Sequence, residues 1–243
     1  MKFIKKLSIP LLSVILGIGL LLPLNGASAN TNVQTTNDTP VALQPIDISN
    51  IQHNVNRNLT EEQIKDRFEL ITSSYEIGQP FSEEDTEFVR AYATLVNSDE
   101  KNLSGSNIGT NDFKFGNSAS SKFSKSKTAQ GVSVTYSGTV RAKLGFVNHS
   151  YGGNVTAKIN SGSSKITSIK TVVTGSAFGL LGNSGTYVGL VHSGSVSSTS
   201  GAKATSWKMD KTKEYSAVAV VYVYVNAYTV INTTTGSFDL YAF

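Results

Sequence analysis

Residues 214–231 read EYSAVAVVYVYVNAYTVI, and no other stretch of the 243-residue chain is as rich in β-branched and aromatic side chains. Val221, Val223 and Val225 alternate with Tyr222, Tyr224 and Asn226, so both parities are largely apolar. A strand of that kind is covered on both faces, near the middle of a sheet or sandwich. A membrane-spanning helix needs about 20 apolar residues without such interruptions. The run is shorter and carries Asn226 and four tyrosines, so it is assigned as a core strand.

Outward from this strand, residues 112–243 keep one texture. Ser, Thr, Gly, Val and Lys dominate, and no proline occurs after Pro80. Val132, Val134, Tyr136, Gly138, Val140, Ala142 and Leu144 share one parity, with Ser, Thr, Lys and Arg mainly between them. This is a strand with one buried and one wet face. Further strands are expected at Val155–Ile159, Lys165–Thr174, Tyr187–Val196, Lys203–Met209 and Ser237–Phe243. Turn signals fall at Tyr151–Asn154, Asn160–Gly162, Gly182–Gly185 and Ser200-Gly201, with a further turn at Met209–Lys213. Ala177 to Gly182 is read as the end of a buried strand. The chain is therefore expected to be mainly β, an antiparallel β-sandwich or barrel preceded by a short two-helix segment.

The helices are announced by their ends. Thr60 and Gln63 form a capping-box pair, and Ile64, Phe68, Ile71 and Tyr75 follow on one helical face. Gly78 and Pro80 end that helix. Ser82 opens a second one, with Glu83, Glu84 and Asp85 in its first turn and Phe88, Tyr92 and Leu95 on its apolar side.

The expected organisation is a secretory signal peptide over 1–29, a polar linker over 30–58, an acidic helical hairpin over 59–97, a second linker over 98–111 and a basic β domain over 112–243. The signal consists of Lys2, Lys5 and Lys6, an apolar run to Leu22, and the small-residue site Ala27-Ser28-Ala29. It predicts a secreted, extracellular protein. The chain has no cysteine, which removes disulfides, thiol catalysis and thiolate metal sites, and the combination suits a Gram-positive exporter. Residues 30–99 hold four basic and twelve acidic side chains, whereas residues 100–243 hold fourteen basic and five acidic ones. Opposite charge on two segments predicts an intramolecular contact between residues 60–96 and the β domain, the helices acting as a pro-region or cover.

Catalytic patterns are sparse. His53, His149 and His192 show no metal-ligand spacing, and no nucleophile elbow, Walker motif or dinucleotide fingerprint occurs. Asp210 and Glu214 are the nearest approach to a carboxylate pair. No catalytic residue, cofactor or metal is assigned. The candidate binding residues are two lysine clusters with aromatics among them: Lys122, Phe123, Lys125 and Lys127, and Lys203, Trp207, Lys208, Lys211 and Lys213. Such clusters suit anionic wall polymer or lipid, and an extracellular address argues against nucleic acid. In layout the chain resembles exported Gram-positive antagonists and envelope proteins, a resemblance of architecture that rests on no shared motif. The functional expectation is a secreted, non-enzymatic effector or binding protein acting on anionic cell envelopes, bacteriocin-like in character. A β-pore-forming toxin is the alternative, from the Ser/Thr-rich alternation around Gly185–Ser200. A small secreted hydrolase is the second alternative.

Overall fold

The computed structural model describes residues 44–95, 118–182 and 187–243, which all fall within one compact unit, Asp38–Phe243. The expected signal peptide and the linker over 98–111 lie outside the described residues. Two helices come first, α1 (Glu61–Ser74) and α2 (Glu83–Tyr92). Among the described residues nine strands follow: β1 (Thr94–Leu95), β2 (Ser118–Ala129), β3 (Val132–Leu144), β4 (Asn148–Ser161), β5 (Ile166–Leu181), β6 (Tyr187–Thr199), β7 (Ser206–Ser216), β8 (Val220–Thr233) and β9 (Gly236–Tyr241). They form two antiparallel sheets. One has the order β2-β3-β4-β7. In the other, β6, β5 and β8 lie side by side, and β1 and β9 share the far edge of β8. Among the described residues the sheets close no barrel, and they share one apolar core as the two layers of a sandwich do.

Strand parity builds the space between the sheets. Val134, Tyr136 and Val140 of β3 and Tyr151, Val155 and Ala157 of β4 face Ile169, Val173 and Ala177 of β5 and Val223, Val225, Ala227 and Ile231 of β8. Gly175 makes room for one of the largest of these side chains. A Cβ there would stand 2.5 Å from the Tyr151 ring.

Val221, Tyr222 and Tyr224 of β8 help to build a second core. Phe68 of α1 stacks on Tyr224 with ring centroids 3.9 Å apart, and Phe88 of α2 lies 4.7 Å from Phe68. Phe178, Val188, Leu190 and Tyr222 complete this cluster, so the helices cover one end of the outer face of the five-stranded sheet. Local chemistry fixes the helices themselves. Thr60 and Gln63 form the reciprocal capping box, and Ser82 caps α2 through the Asp85 N–H. Arg67 bonds both Glu84 and Asp85, and the Tyr75 hydroxyl donates to Asp85.

Backbone bonds then tie the segment to both sides of the sheet. Between the helices, Gly78 N–H donates to Leu190 O and Phe81 N–H to Val188 O, along β6. After α2, β1 pairs with Tyr222 and Val223 along β8. Glu87 fastens the arm before α1 by accepting from the N–H groups of Gln52 and His53 and from the Asn56 amide. Burial by itself would raise the Glu87 pKa; these donors outweigh it and hold the carboxyl down at about 2. Fully burying an aromatic or Ile side chain contributes about 1.5–3 kcal/mol, whereas an exposed ion pair contributes about 1 kcal/mol or less. Phe68, Ile71 and Phe88 therefore hold the helices down more firmly than their charges do.

Three local expectations need correction, and one strand was not foreseen. The run beginning at Glu214 is two strands: Glu214–Ser216 end β7, and a bend at 217–219, with Ala219 at φ 55, precedes β8. Met209–Lys213 is the middle of β7, not a turn. Tyr151–Asn154 is the middle of β4. Gly152 there serves close approach between strands, since its Cβ would stand 2.2 Å from Lys211 O. The lysine-rich segment around Phe123 is a twelve-residue edge strand, turned into β3 through Gln130 and Gly131, both at positive φ.

Val223 is 2 % exposed, between Thr94 and Ala177 in the ladder. Val223→Asp buries an unpaired charge in the inter-sheet core. It is expected to remove more than about 3 kcal/mol of stability, read by urea denaturation.

Candidate binding surface

Alternation sorts the candidate lysines onto different faces. Lys122 and Lys208 stand exposed on the outer face of the four-stranded sheet, while their aromatic neighbours turn inward. Phe123 is 7 % exposed and packs on Tyr136 and Phe243. Trp207 is half-buried on the inner side of β7. The two clusters lie on β2 and β7, at opposite edges of that sheet. Lys203 is exposed in the β6–β7 connection at φ 57, and Lys125 is exposed on β2.

The remaining three lysines bridge the sheets. Lys127 Nζ donates to Asp239 O on β9, 2.9 Å away. Lys211 and Lys213 donate to Ser197 O and Ser195 O on β6, at 2.8 and 3.4 Å. Both open seams of the sandwich, β2 against β9 and β7 against β6, are thus bridged by ammonium groups on edge-strand carbonyls. Charged side chains at an edge also deter pairing with another chain.

The outer face of the four-stranded sheet shows a pattern that the lysine clusters concealed. Four cross-strand rows run over β2, β3, β4 and β7: Ser120–Arg141–Gly152–Thr212, Lys122–Thr139–Asn154–Asp210, Ser124–Ser137–Thr156–Lys208 and Ser126–Thr135–Lys158–Ser206. None of the sixteen positions carries an apolar side chain, and neither helix lies over this face. With Lys143 and Glu214 one row further on, the face carries five cations and two carboxylates. Arg141 engages one carboxylate, donating to Asp210 at 2.8 Å and to the Thr212 hydroxyl. Lys122, Lys143, Lys158 and Lys208 sit on four different strands, so the positive charge is spread over the sheet. At a strand spacing of about 4.8 Å the face is roughly 15 Å across. The sequence signal was present, since the polar parity of residues 133–143 is unbroken, but it needed the strand register to become a surface.

Asp210 and Glu214 lie four residues apart on one strand, about 14 Å at 3.4 Å per residue. The paired acids of a glycosidase stand about 5–9.5 Å apart, so these two do not make that pair. Among the described residues, no group of three or more His, Asp or Glu is placed to hold a metal ion.

Two histidines distant in sequence do meet, at the β6–β7 seam. His192 stacks on Tyr215 at 3.9 Å, and His149 and Tyr151 border the same rings. His149 Nε2 is bonded to Ala217 O, while His192 Nε2 and the Tyr151 hydroxyl are buried without a hydrogen-bond partner among the described residues. A Cβ at residue 194 would be 2.8 Å from Tyr151 Oη, 3.1 Å from Lys213 Nζ and 3.3 Å from His192 Nε2, so Gly194 leaves room where three polar groups converge. Burial, then Lys213 and His149, push the His192 pKa down to about 4, and burial raises the Tyr151 hydroxyl to about 12. On the other side of the five-stranded sheet, a groove of about 270 Å³ runs beneath α1, between Glu69 and Thr72 above and Thr174, Ser176 and Ser193 below. Its Asn226 is committed internally, to Tyr224 Oη, Phe243 O and the Ala227 N–H.

The chain matches no protein-family model and no curated protein sequence.

The depressed His192 pKa has a consequence for stability. The folded protein favours the neutral imidazole, so its contribution is complete above pH 6.5 and is lost as pH falls toward about 4. Glu87 acts in a lower window, from about 4.5 to about 2. Urea denaturation at pH 7.5 and pH 5 should show wild type losing more stability than His192→Gln, with the two curves converging at the lower pH.

Proposed function

We propose that the protein is an exported, non-enzymatic binding protein that works on anionic cell envelopes. Its uncovered four-stranded face is the surface that engages phosphodiester groups of wall polymer or lipid headgroups. The observation that carries this reading is the set of four polar rows with cations on every strand, beside an opposite sheet whose outer face is partly covered by the helices. Hydroxyl and amide side chains donate to phosphate oxygens, and the dispersed ammonium groups supply the attraction over distance. A flat cationic sheet face suits an extended, repeating polyanion, because several weak contacts add along the polymer. Export rests on the N-terminal sequence, with its basic start, apolar run and Ala27-Ser28-Ala29 site. The bacteriocin-like antagonist remains the form of activity that this address and surface fit.

The test is a triple substitution, Lys122→Ser, Lys158→Ser and Lys208→Ser. All three side chains are exposed, so the melting midpoint should change little. Wild-type binding to purified wall polyanion and to anionic vesicles is expected to fall steeply between about 50 and 200 mM salt. The triple variant should bind at least about tenfold more weakly at low salt, with a shallower salt dependence. Binding equal to wild type on both surfaces would remove this face from the account.

A further inference from the structure

Seven large apolar side chains are exposed among the described residues, and five of them gather at one end of the sandwich. Phe146 is 97 % exposed and Val147 adjoins it in the β3–β4 turn. Val218, 66 % exposed, is in the β7–β8 turn, and Tyr187, 57 %, starts β6. Ile77, 65 %, is in the loop between the helices. Backbone bonds show that these two turns, the loop between the helices and the first residues of β6 are neighbours. Ala217 N–H donates to Val147 O, Leu180 N–H to Ala219 O, and Gly78 N–H to Leu190 O, while Leu181 pairs with Tyr187. The strands that reach this end carry further uncharged residues: Ala177-Phe178-Gly179-Leu180-Leu181 on β5 and Tyr187-Val188-Gly189-Leu190-Val191 on β6.

We infer that this end docks on a lipid bilayer, with Phe146, Val147, Val218 and Tyr187 entering the headgroup–acyl boundary. The inference rests on the reading of the protein as an envelope binder and names lipid as the surface this end meets. Two features favour a bilayer over a protein. The apolar groups stand on separate turns, like prongs, and hydrocarbon accepts separate prongs without the matching sockets that a protein partner or a second copy would need. The end is also continuous with the cationic face, since Lys143 stands on β3 one residue before the strand's last, Leu144. Anionic headgroups would meet that ammonium group while the turns pass below it. Tyr187, with a polar tip on an apolar body, suits the interface.

The absence of native cysteine allows single labels in the full chain. Val218→Cys and, as a control on the polar face, Ser124→Cys are each labelled with an environment-sensitive fluorophore. They are mixed with vesicles of phosphatidylglycerol and phosphatidylcholine. The emission of the label at 218 is expected to brighten and shift to the blue at saturating vesicle, while the label at 124 changes little. Phe146→Ser with Val147→Ser should lower partition by about tenfold or more without moving the melting midpoint. The triple lysine variant keeps this readout separate from the polar-face reading. It should need more vesicle to saturate yet reach the same blue shift at 218. No shift at 218 at saturation, or equal shifts at both labels, overturns the lipid assignment even if lysine-dependent binding persists. A shift at 218 that appears with protein concentration and without vesicles overturns it in favour of self-association.

Discussion

Burial of β8 on both faces is the constraint on which the rest depends. Its odd positions, Val223, Val225, Ala227 and Ile231, belong to the core between the sheets, whereas Tyr222 and Tyr224 belong to the core beneath the helices. A strand in that position cannot simply alternate apolar and polar residues, because its inner face is buried along its length and the first half of its outer face lies beneath the helices. Asn226, polar and buried in its middle, is tolerated because both ends of its amide are bonded internally. The helices follow from the same strand. Without Phe68, Phe88 and the loop along β6, the even side of β8 and the apolar ends of β5 and β6 would stand in water.

Charge has a different task. The acidic helices are held by aromatic burial and backbone bonds, and their carboxylates serve mostly one another's element: Glu84 and Asp85 bind Arg67, and Glu87 gathers the preceding arm. Three lysines of the β region bridge the sandwich seams, and others stand on the polar face. Net charge by segment therefore describes attraction only at long range. Which ammonium groups face solvent is decided by strand parity and by whether a carbonyl of the opposite edge is within reach.

The fold class, the central strand and both helices were legible in the sequence, since two-sided apolar character and reciprocal caps are local signals. Misreadings arose where the local signal was weak or served another purpose. The bend at 217–219 contains no glycine, proline or asparagine, so nothing marked it. β2 has a single large apolar residue, Phe123, because an edge strand beside a polar face needs little more. Gly152 and Gly153 resembled a turn but allow neighbouring backbone to come close. Lys122 and Phe123 looked like one cluster, and adjacent residues on a strand point to opposite sides. The gathering of His149 and His192 around Tyr215, and of Val147 with Ala217, depends on pairings between strands far apart in sequence, which no window along the chain displays.

Because β8 is common to both cores, the helical segment and the sandwich should open together. Native-state hydrogen exchange read residue by residue measures this directly. The account predicts that amides in the middle of α1 and α2 exchange with an opening free energy close to that of the Val221–Ala227 amides, and that both respond alike to low urea. Helix amides that exchange orders of magnitude faster than those of β8, with the strand unaffected, would contradict it and show the helices to be an independently released layer.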